Sequence, residues 1–333
     1  KDGIPRFSSD KYTFPLIDVN GVSAYEFLNY KKPDPRKEIK AGDDLYNPIY
    51  NLKSLNEIIT YRITVPFKNM DAITSIKVMD TVDACMAIVP DTLKVCKVDE
   101  FGSTESFEEH FLRELSTDYK TATFTTYQHV DVSKLGLANS DLVFEFDAYI
   151  NRKPSDFAAL HPELKIHNQA TLEINPRDES RAECIQTNEV ILQAQLTSVK
   201  FKKMLAVLDP NEPPTALSTG ATAEFILTKL GDLLFPFGER KLTVGTDEFV
   251  IENLDVGKYL LKEIKAPNGY VTVSPVEFQV RNEGGVLKVY VKAKEEDTEY
   301  TIPVYDDTKE ENNLGNLVDP LPEKPTISKM VRK

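Results

Sequence analysis

Short segments in which apolar and polar residues alternate recur along most of this chain, and clusters of turn-forming residues separate them. Alternation with a period of two places every second side chain on the same face of a β-strand. The segments with this pattern are 57–65 (EIITYRITV), 73–79 (ITSIKVM), 141–150 (DLVFEFDAYI), 187–193 (TNEVILQ), 224–230 (EFILTKL), 258–264 (KYLLKEI), 276–280 (VEFQV) and 287–291 (LKVYV). Many short strands with turns between them predict an all-β fold built from β-sandwiches.

Two stretches interrupt the strand pattern and predict minor helical insertions. Residues 106–115 (SFEEHFLREL) place apolar residues three or four positions apart behind a serine, which is typical of a short helix. Residues 152–165 lack alternation and are compatible with a second short helix or an ordered loop. We therefore expect little helix beside the β structure.

Length and composition narrow the class of protein. The chain has 333 residues, of which 41% are hydrophobic, enough for packed cores in two or three domains. A formal net charge of −13 argues against a nucleic-acid partner, because phosphate binding needs a clustered positive surface. No run of about 18 apolar residues occurs, so we expect no membrane insertion. The first residues (KDGIPRFSSD) lack Met and an apolar signal core, and we interpret them as the start of a mature or excised fragment.

The residues that usually carry chemistry show no familiar spacing. The three cysteines lack the C-x-x-C pattern of zinc sites, and the four histidines are scattered. Cys85 and Cys96 could form a disulfide across a hairpin, which would leave Cys184 unpaired, or all three could be reduced thiols. No nucleophile elbow or Gly-rich phosphate loop is present. We expect no metal, no cofactor and no enzymatic turnover.

Composition shifts predict five parts. Residues 1–32 form an N-terminal segment, which could pack on the first domain, and residues 33–195 form that larger first domain. Residues 199–307 form a second domain, and the acidic, Pro-rich residues 308–324 have the composition of a linker. Residues 325–333 resemble the first strand of a further, truncated domain.

Three of these parts open with a strand that carries a lysine at the same phase. The segments are 33–39 (PDPRKEI), 199–203 (VKFKK) and 325–331 (PTISKMV), and the lysines are Lys37, Lys203 and Lys329. Alternation directs each lysine to the same face as its apolar neighbours. Lysine is rarely buried without a partner, so a solvated position at a sheet edge is the alternative for any one of them.

The second domain contains the motif that identifies a family. Residues 257–270 (GKYLLKEIKAPNGY) match G-x-Y-x-L-x-E-x-x-A-P-x-G-Y, and residues 220–225 (GATAEF) are similar to G-A-x-F-x-L, with Ala223 where that pattern has Phe. These motifs resemble the E-box and the second strand of Cna B-type domains in sortase-assembled pilins and related adhesins of Gram-positive bacteria. In that family, Ig-like domains form their own Lys–Asn or Lys–Asp isopeptide bonds.

The first domain resembles the larger Cna A-type partner domain of such pilins. Residues 57–61 (EIITY) are similar to D-x-I-T-Y, residues 76–80 (IKVMD) to I-x-V-x-D, and residues 187–190 (TNEV) to S-N-x-V; residues 168–172 (NQATL) belong to the same match. Each fragment is short, and the order and spacing of the fragments carry the resemblance. The implied fold is a pair of tandem Ig-like sandwiches, Cna A-like and then Cna B-type.

For the second domain, the resemblance implies Lys203 as nucleophile and Glu263 as the acid that shuttles protons. The acceptor is expected on the last strand in an I-x-V-x-N pattern, and residues 302–306 (IPVYD) place Asp306 at that position. Asn312, Asn313 and Asn316 are the alternatives, within the predicted linker.

For the first domain, the resemblance implies Lys37 as nucleophile, Asp80 as acid and Asn188 as acceptor. Burial would favour the neutral amine of the lysine and the protonated form of the acid, which is the combination that amide formation needs. Asp80 could instead cap a turn after its strand. Lys329 is expected to be unbonded, because its partners would lie beyond this chain.

The resemblance implies a structural subunit of a surface pilus, located outside the cell and linked to other pilin subunits by sortase. Its only chemistry would be the single-turnover formation of isopeptide bonds. The alternative is a cell-wall-anchored adhesin on the same folds, with residues 100–119 and 152–167 as the surface that contacts a host or matrix ligand.

Overall fold

The computed structural model describes residues 16–19, 22–25, 33–67, 73–137, 139–177, 182–217, 220–231, 239–246 and 248–322. Strands make up 54% of the chain and helices 5%, which confirms the prediction of tandem all-β sandwiches with minor helical insertions. Two separate clusters of buried apolar side chains, at 39–194 and 199–317, form the cores. Within the described ranges, no helix has the length and apolar character needed to cross a membrane.

Among the described residues before 195, the chain forms sixteen strands. They are β1 Leu16–Val19, β2 Val22–Tyr25, β3 Arg36–Ala41, β4 Ile49–Asn51, β5 Ile59–Pro66, β6 Ile76–Thr81, β7 Met86–Ile88, β8 Lys94–Asp99, β9 Thr104–Ser106, β10 Phe111–Leu115, β11 Thr121–Thr126, β12 Ser140–Ile150, β13 Lys165–Asn168, β14 Ala170–Ile174, β15 Glu183–Gln186 and β16 Val190–Gln193. A six-stranded sheet has the order β3-β5-β12-β8-β9, with β7 also paired to β12. A five-stranded sheet (β10-β11-β6-β14-β15) and a three-stranded sheet (β13-β16-β4) complete the first domain, and β1 and β2 form a separate hairpin.

One of the two predicted helical insertions is present. Helix α1 spans Pro154–Leu160 within the region 152–165 and begins with a proline, which is compatible with the first helical turn. The helix predicted over 106–115 is wrong, because Glu108–His110 form one 3-10 turn and β10 follows at once. In this segment, pairing with β11 outweighs the helical spacing of the apolar residues. A second 3-10 turn spans Val132–Lys134.

The second domain consists of two sheets. Its strands are β17 Thr197–Leu205, β18 Thr215–Ala216, β19 Ala223–Leu230, β20 Arg240–Val244, β21 Glu248–Leu254, β22 Gly257–Lys265, β23 Val276–Glu283, β24 Val286–Lys292, β25 Tyr300–Pro303, β26 Tyr305–Asp306 and β27 Glu311–Asp319. One sheet has the order β20-β19-β22-β23-β24-β25. The other has the order β18-β17-β27-β26, and β21 pairs with the remaining edge of β17.

The predicted linker at 308–324 is wrong for most of its length, because β27 occupies it and belongs to the second domain. β27 pairs in parallel with β17, so the first and last strands of the domain are neighbours. An extra residue interrupts the register: Lys200 faces Asn313 and Lys202 faces Asn316, with Gly315 at a φ of 79° between them. A glycine in this conformation is typical of a β-bulge, and the bulge breaks the alternation by which a strand is recognised.

A buried polar contact connects the two domains. Asp255, between β21 and β22, is 1% exposed and accepts hydrogen bonds from Leu55 N (3.1 Å) and Ser54 Oγ (3.0 Å) of the first domain. From its own domain, it pairs with Lys229 Nζ (2.7 Å) and accepts a hydrogen bond from the Tyr259 hydroxyl (2.6 Å). We call Asp255, Lys229 and Ser54 the interdomain clasp.

The first glycine of the E-box-like motif makes room for this clasp. A Cβ atom on Gly257 would lie 2.5 Å from Cε of Lys229, closer than two non-bonded carbon atoms can approach each other. The absent side chain therefore lets the lysine reach Asp255 across β22.

Some predictions fall outside the described residues. Lys329 and the predicted strand at 325–331 lie beyond residue 322, and most of the N-terminal segment 1–32 is also outside the described ranges. All three cysteines are free thiols: Cys85 is buried, Cys96 half-buried and Cys184 exposed, so the disulfide between Cys85 and Cys96 is not formed.

Candidate functional site

Each domain buries a lysine from its first sheet strand among apolar side chains. Along β17, Val199, Phe201, Lys203 and Leu205 point inward, and Lys203 is completely buried. Along β3, Lys37, Ile39 and Ala41 point inward, and Lys37 is also completely buried. The alternation predicted from the sequence therefore places both lysines in the cores, and the solvated edge position is wrong for both.

The second-domain site, which we call the Lys203 cluster, consists of Lys203, Glu263 and Asp319. Glu263 projects from β22 of the opposite sheet, and its Oε1 and Oε2 lie 3.1 and 3.2 Å from Lys203 Nζ. Lys203 Nζ also pairs with Oδ1 of Asp319, the last residue of β27. The three side chains are 0% exposed, so the amine and both carboxyls meet in a dry environment.

The surroundings of Glu263 favour its protonated form. Burial and a hydrogen bond with Asp319 raise the pKa of Glu263 to about 7, against the opposing effects of Val273 N–H and Lys203. Glu263 Oε1 and Asp319 Oδ2 receive no hydrogen bond from any described donor, and a proton held between the two carboxyls would supply one. Two carboxyls at one buried site do not both ionise readily, which favours this shared proton.

The predicted acceptor Asp306 is not part of the Lys203 cluster. Asp306 lies in the short strand β26, and its carboxylate accepts hydrogen bonds from the backbone and hydroxyl of Thr308. Hydrogen bonds from Thr308 and Lys309 lower the pKa of Asp306 to about 2, so it is an ordinary ionised surface group. The structure corrects this assignment, because the last inward-facing carboxyl of the domain is thirteen residues later, at Asp319.

The alternative acceptor Asn312 is buried but faces away from the amine. Its Nδ2 donates to Ser198 O (3.2 Å) and Leu287 O (3.3 Å), and its Oδ1 accepts from Val289 N (2.8 Å). The side chain thus joins β27 to the backbone of both sheets, which is a structural role. Asn313 and Asn316 pair with Lys200 and Lys202, whose side chains lie on the other face of β17 from Lys203.

The first-domain site, the Lys37 cluster, consists of Lys37, Tyr61, Asp80 and Asn168. Lys37 Nζ pairs with Asp80 Oδ2 and lies 4.6 Å above the centre of the Tyr61 ring. Burial lowers the pKa of Lys37, and the charge and hydrogen bond of Asp80 oppose that shift. Asp80 therefore occupies the predicted position beside the amine, and it does not cap a turn.

Asn168 contributes a buried carboxamide to the Lys37 cluster. It is the last residue of β13, is 6% exposed and lies beside the Tyr61 hydroxyl. Two residues later, Ala170 pairs with Asp80 across β14 and β6, so the main chain brings Asn168 near Asp80. Asp80 Oδ1 and Asn168 Nδ2 are both buried, and neither has a hydrogen-bond partner among the described residues.

The predicted acceptor Asn188 faces the backbone of Lys37 and not its amine. Asn188 Oδ1 accepts from Lys37 N (2.8 Å), and Asn188 Nδ2 donates to Lys37 O (2.9 Å). Asn188 is exposed, whereas the Lys37 amine is completely buried. Its carboxamide acts as a substitute strand partner for β3. The structure corrects this assignment, because a side chain committed to both backbone groups does not present its carbonyl to Nζ.

Each of the two tandem β-sandwiches thus contains a cluster of an inward lysine, a buried acid and a second carbonyl group. Comparison with known proteins gives the same fold. Residues 219–295 match the family model described as "SpaA: Prealbumin-like fold domain". The chain has the fold of BcpA, the major pilin subunit of Bacillus cereus, with a TM-score of 0.54 and 14% identity over 94% of this chain and 79% of that one.

Further solved structures show weaker similarity. A variant of BcpA with one substituted residue gives a TM-score of 0.52 at 14% identity, covering 93% of this chain and 78% of that one. Domains D2 and D3 of the major pilin SpaD of Corynebacterium diphtheriae give a TM-score of 0.39 at 17% identity, covering 86% of this chain and 98% of that one. A search of curated proteins gives no match. The resemblance to pilins with Ig-like domains is therefore confirmed for the fold.

Proposed function

We propose that this chain is a structural subunit of a surface pilus, stabilised by one intramolecular isopeptide bond in each domain. The observation that carries the proposal is the pair of completely buried lysines, each next to a buried acid on the opposite sheet. An isolated buried charge is costly, and a lysine that serves only packing would be replaced by an apolar residue without loss. Conversion of each amine into a neutral amide removes that cost.

In the second domain, the reaction joins Lys203 to Asp319. The Lys203 amine attacks the carbonyl carbon of Asp319, and the leaving oxygen takes the carboxyl proton together with one proton of the amine, which Glu263 transfers. The C–N bond forms, the C–O bond breaks, and one water molecule leaves. Glu263 carries the proton between the two groups, a role that its pKa of about 7 supports.

In the first domain, the reaction joins Lys37 to Asn168. The Lys37 amine attacks the carboxamide carbon, Asp80 transfers protons between the amine and the leaving nitrogen, and one ammonia molecule leaves. Burial of the amine, which lowers the pKa of Lys37, favours its nucleophilic neutral form. The unpartnered Asn168 Nδ2 is the group that departs as ammonia, so the bond would remove an unsatisfied buried donor.

The bonds would suit a protein that bears load outside the cell. Other pilin subunits, joined through sortase-catalysed linkage, are the partners that this role implies, and the cell wall and pilus surface are its location. Each bond would close a loop of more than 100 residues and, unlike a disulfide, would resist reduction. The pilin fold of the tandem domains supports this role.

Intact-mass spectrometry of the denatured, reduced chain tests the proposal. Loss of one water and one ammonia predicts a deficit of about 35 Da from the sequence mass. Lys203→Ala and Asp319→Ala should each remove the part of the mass deficit that corresponds to water. Lys37→Ala and Asn168→Ala should each remove the part that corresponds to ammonia. Asp306→Ala and Asn188→Ala are the matched controls and should keep the full deficit. A wild-type chain at its sequence mass would refute the crosslinks, and loss of ammonia that depends on Asn188 would refute the Asn168 assignment.

A further inference from the structure

Three side chains of different chemistry converge at a second place in the first domain. Asp83 and Cys85 lie in the loop between β6 and β7, and His161 directly follows helix α1. His161 Nε2 lies 3.0 Å from Asp83 Oδ1 and 3.5 Å from Cys85 Sγ. Cys85 is completely buried, while Asp83 and His161 retain 24% and 18% exposure. Neither proposed isopeptide site uses any of them.

We propose that Asp83, Cys85 and His161 form a binding site for Zn²⁺ or a similar borderline divalent transition-metal ion. Thiolate, imidazole and carboxylate are the donors that zinc accepts, whereas Ca²⁺ and Mg²⁺ prefer sites made of oxygen atoms only. The three ligand atoms lie within 4.8 Å of one another, so a single ion can contact all of them. The partial exposure of Asp83 and His161 leaves a side from which an ion can enter and a water molecule can complete the coordination.

Two of the three separations between ligand atoms are close to those of tetrahedral coordination. Zinc–sulfur and zinc–nitrogen bonds of about 2.3 and 2.05 Å at a tetrahedral angle place the two ligand atoms about 3.5 Å apart. The observed separation between Cys85 Sγ and His161 Nε2 is 3.5 Å. Nitrogen and oxygen ligands would be separated by about 3.3 Å. The observed separation between His161 Nε2 and Asp83 Oδ1 is 3.0 Å, so these two atoms would have to move only slightly apart.

The backbone already holds two of the ligands in position. Cys85 N donates a hydrogen bond to Asp83 Oδ1 (2.8 Å), which fixes the carboxylate beside the thiol in a tight Asx turn. On the other side, His161 N donates to Phe157 O (2.8 Å) at the end of α1, and the two rings lie 5.3 Å apart. The ligands therefore need little reorganisation, and an ion would join α1 to the β6–β7 loop.

Charge and protons balance when the ion binds. An M²⁺ ion would displace the proton of the Cys85 thiol to solvent, and His161 would offer its Nε2 atom as a ligand. One thiolate, one carboxylate and one M²⁺ ion form a neutral unit. Lys120, which donates to the carbonyls of Ala84 and Met86, then lies next to a site without net charge.

Metal titration of the full chain under reducing conditions tests this site. We expect one Zn²⁺ per chain by calorimetry in competition with a chelator. Cys85→Ser and His161→Gln should each weaken Zn²⁺ affinity by about 100-fold or more, because each removes a direct ligand. Mutation of residues that only hydrogen-bond to a metal ligand already lowers metal affinity by about 10- to 100-fold. Cys96→Ser and His129→Gln, which change the same residue types elsewhere, are the controls and should bind as the wild type does.

Co²⁺ bound to the wild-type chain provides a spectroscopic readout of the thiolate ligand that needs no variant. Substitution of the wild-type chain with Co²⁺ should give the near-ultraviolet charge-transfer band of a cobalt–thiolate bond and visible bands of tetrahedral intensity. Both features should be absent from a folded Cys85→Ser chain. Wild-type protein that binds no Zn²⁺ stoichiometrically, or that gives no thiolate band, would overturn the proposal, as would unchanged binding by Cys85→Ser.

Discussion

Replacement of Glu263 by glutamine separates the chemistry of the Lys203 cluster from its packing. Glutamine has the same shape and keeps an oxygen that can accept the hydrogen bond from Val273 N, which is 2.8 Å long in the structure. The ion pair between Lys203 and Asp319 also remains, so the domain should still fold. Glutamine cannot carry a proton between amine and carboxyl, however, so we expect no bond and no loss of water.

The free-energy change follows from the loop that the bond closes. Lys203 and Asp319 are 116 residues apart in the sequence. The loop-entropy relation for a covalent crosslink of that span gives about 5 kcal/mol of stabilisation. For a domain of this size, each kcal/mol shifts the melting temperature by roughly 4 °C or more, so Glu263→Gln should lower the second domain's melting temperature by about 20 °C.

Calorimetry and intact mass on the same preparation measure both effects. Glu252→Gln, on the exposed face of β21, is the control and should change neither the mass nor the melting temperature. A Glu263→Gln chain that still lacks one water would show that Glu263 is not the proton carrier. A chain that regains the water but melts at the wild-type temperature would show that the bond does not stabilise the domain through loop closure.

Two further predictions concern the first domain and the interdomain clasp. Asn168→Ala leaves Lys37 as an unbonded buried amine with a lowered pKa, so the folded state binds fewer protons than the unfolded state. Its urea midpoint should therefore rise as the pH increases towards the unfolded lysine pKa of about 10.4, whereas the wild-type amide should show no such slope. Asp255→Ala removes the carboxylate that Lys229 and Ser54 share, and it should cost about 3 kcal/mol, because a buried ion pair is broken while Lys229 keeps its contact with Asn56. Calorimetry should then resolve two separate transitions, and a single unshifted transition would contradict the clasp.

The local periodicity of the sequence is sufficient to predict the lysine of each proposed bond and the acid beside it. Lys37 and Lys203 alternate with apolar residues on uninterrupted strands, and Asp80 and Glu263 share the inward phase of theirs. Period-two alternation survives in the sequence wherever a strand is regular, so the burial of these side chains was predictable. The all-β architecture was predictable for the same reason.

The carbonyl partners were missed because irregular structure determines their positions. A bulge at Gly315 shifts the phase of β27, and the acidic composition around it is typical of a linker, so Asp319 was not recognised. Asn168 and Asn188 both lie near strand ends, and the pairing of β14 with β6 brings Asn168, and not Asn188, near Asp80. The placement of α1 brings His161 to Cys85 and Asp83, which are 76 and 78 positions earlier in the chain, and no local pattern encodes that contact.

The choice of Asn168 over Asn188 changes what the first domain can do under tension. β17 and β27 are parallel, so force that enters at Thr197 and leaves at Asp319 would pass through the Lys203–Asp319 bond and spare residues 204–318. In the first domain, a bond from Lys37 to Asn168 would spare residues 38–167 but leave residues 169–196, with β14 to β16, in the path of the load. At up to about 3.5 Å per residue, that segment could extend by up to about 100 Å. A bond to Asn188 would leave only residues 189–196 in the path of the load, and these could extend by about 30 Å. A single-molecule pulling experiment therefore distinguishes the two acceptors, because the length released before rupture depends on where the bond closes.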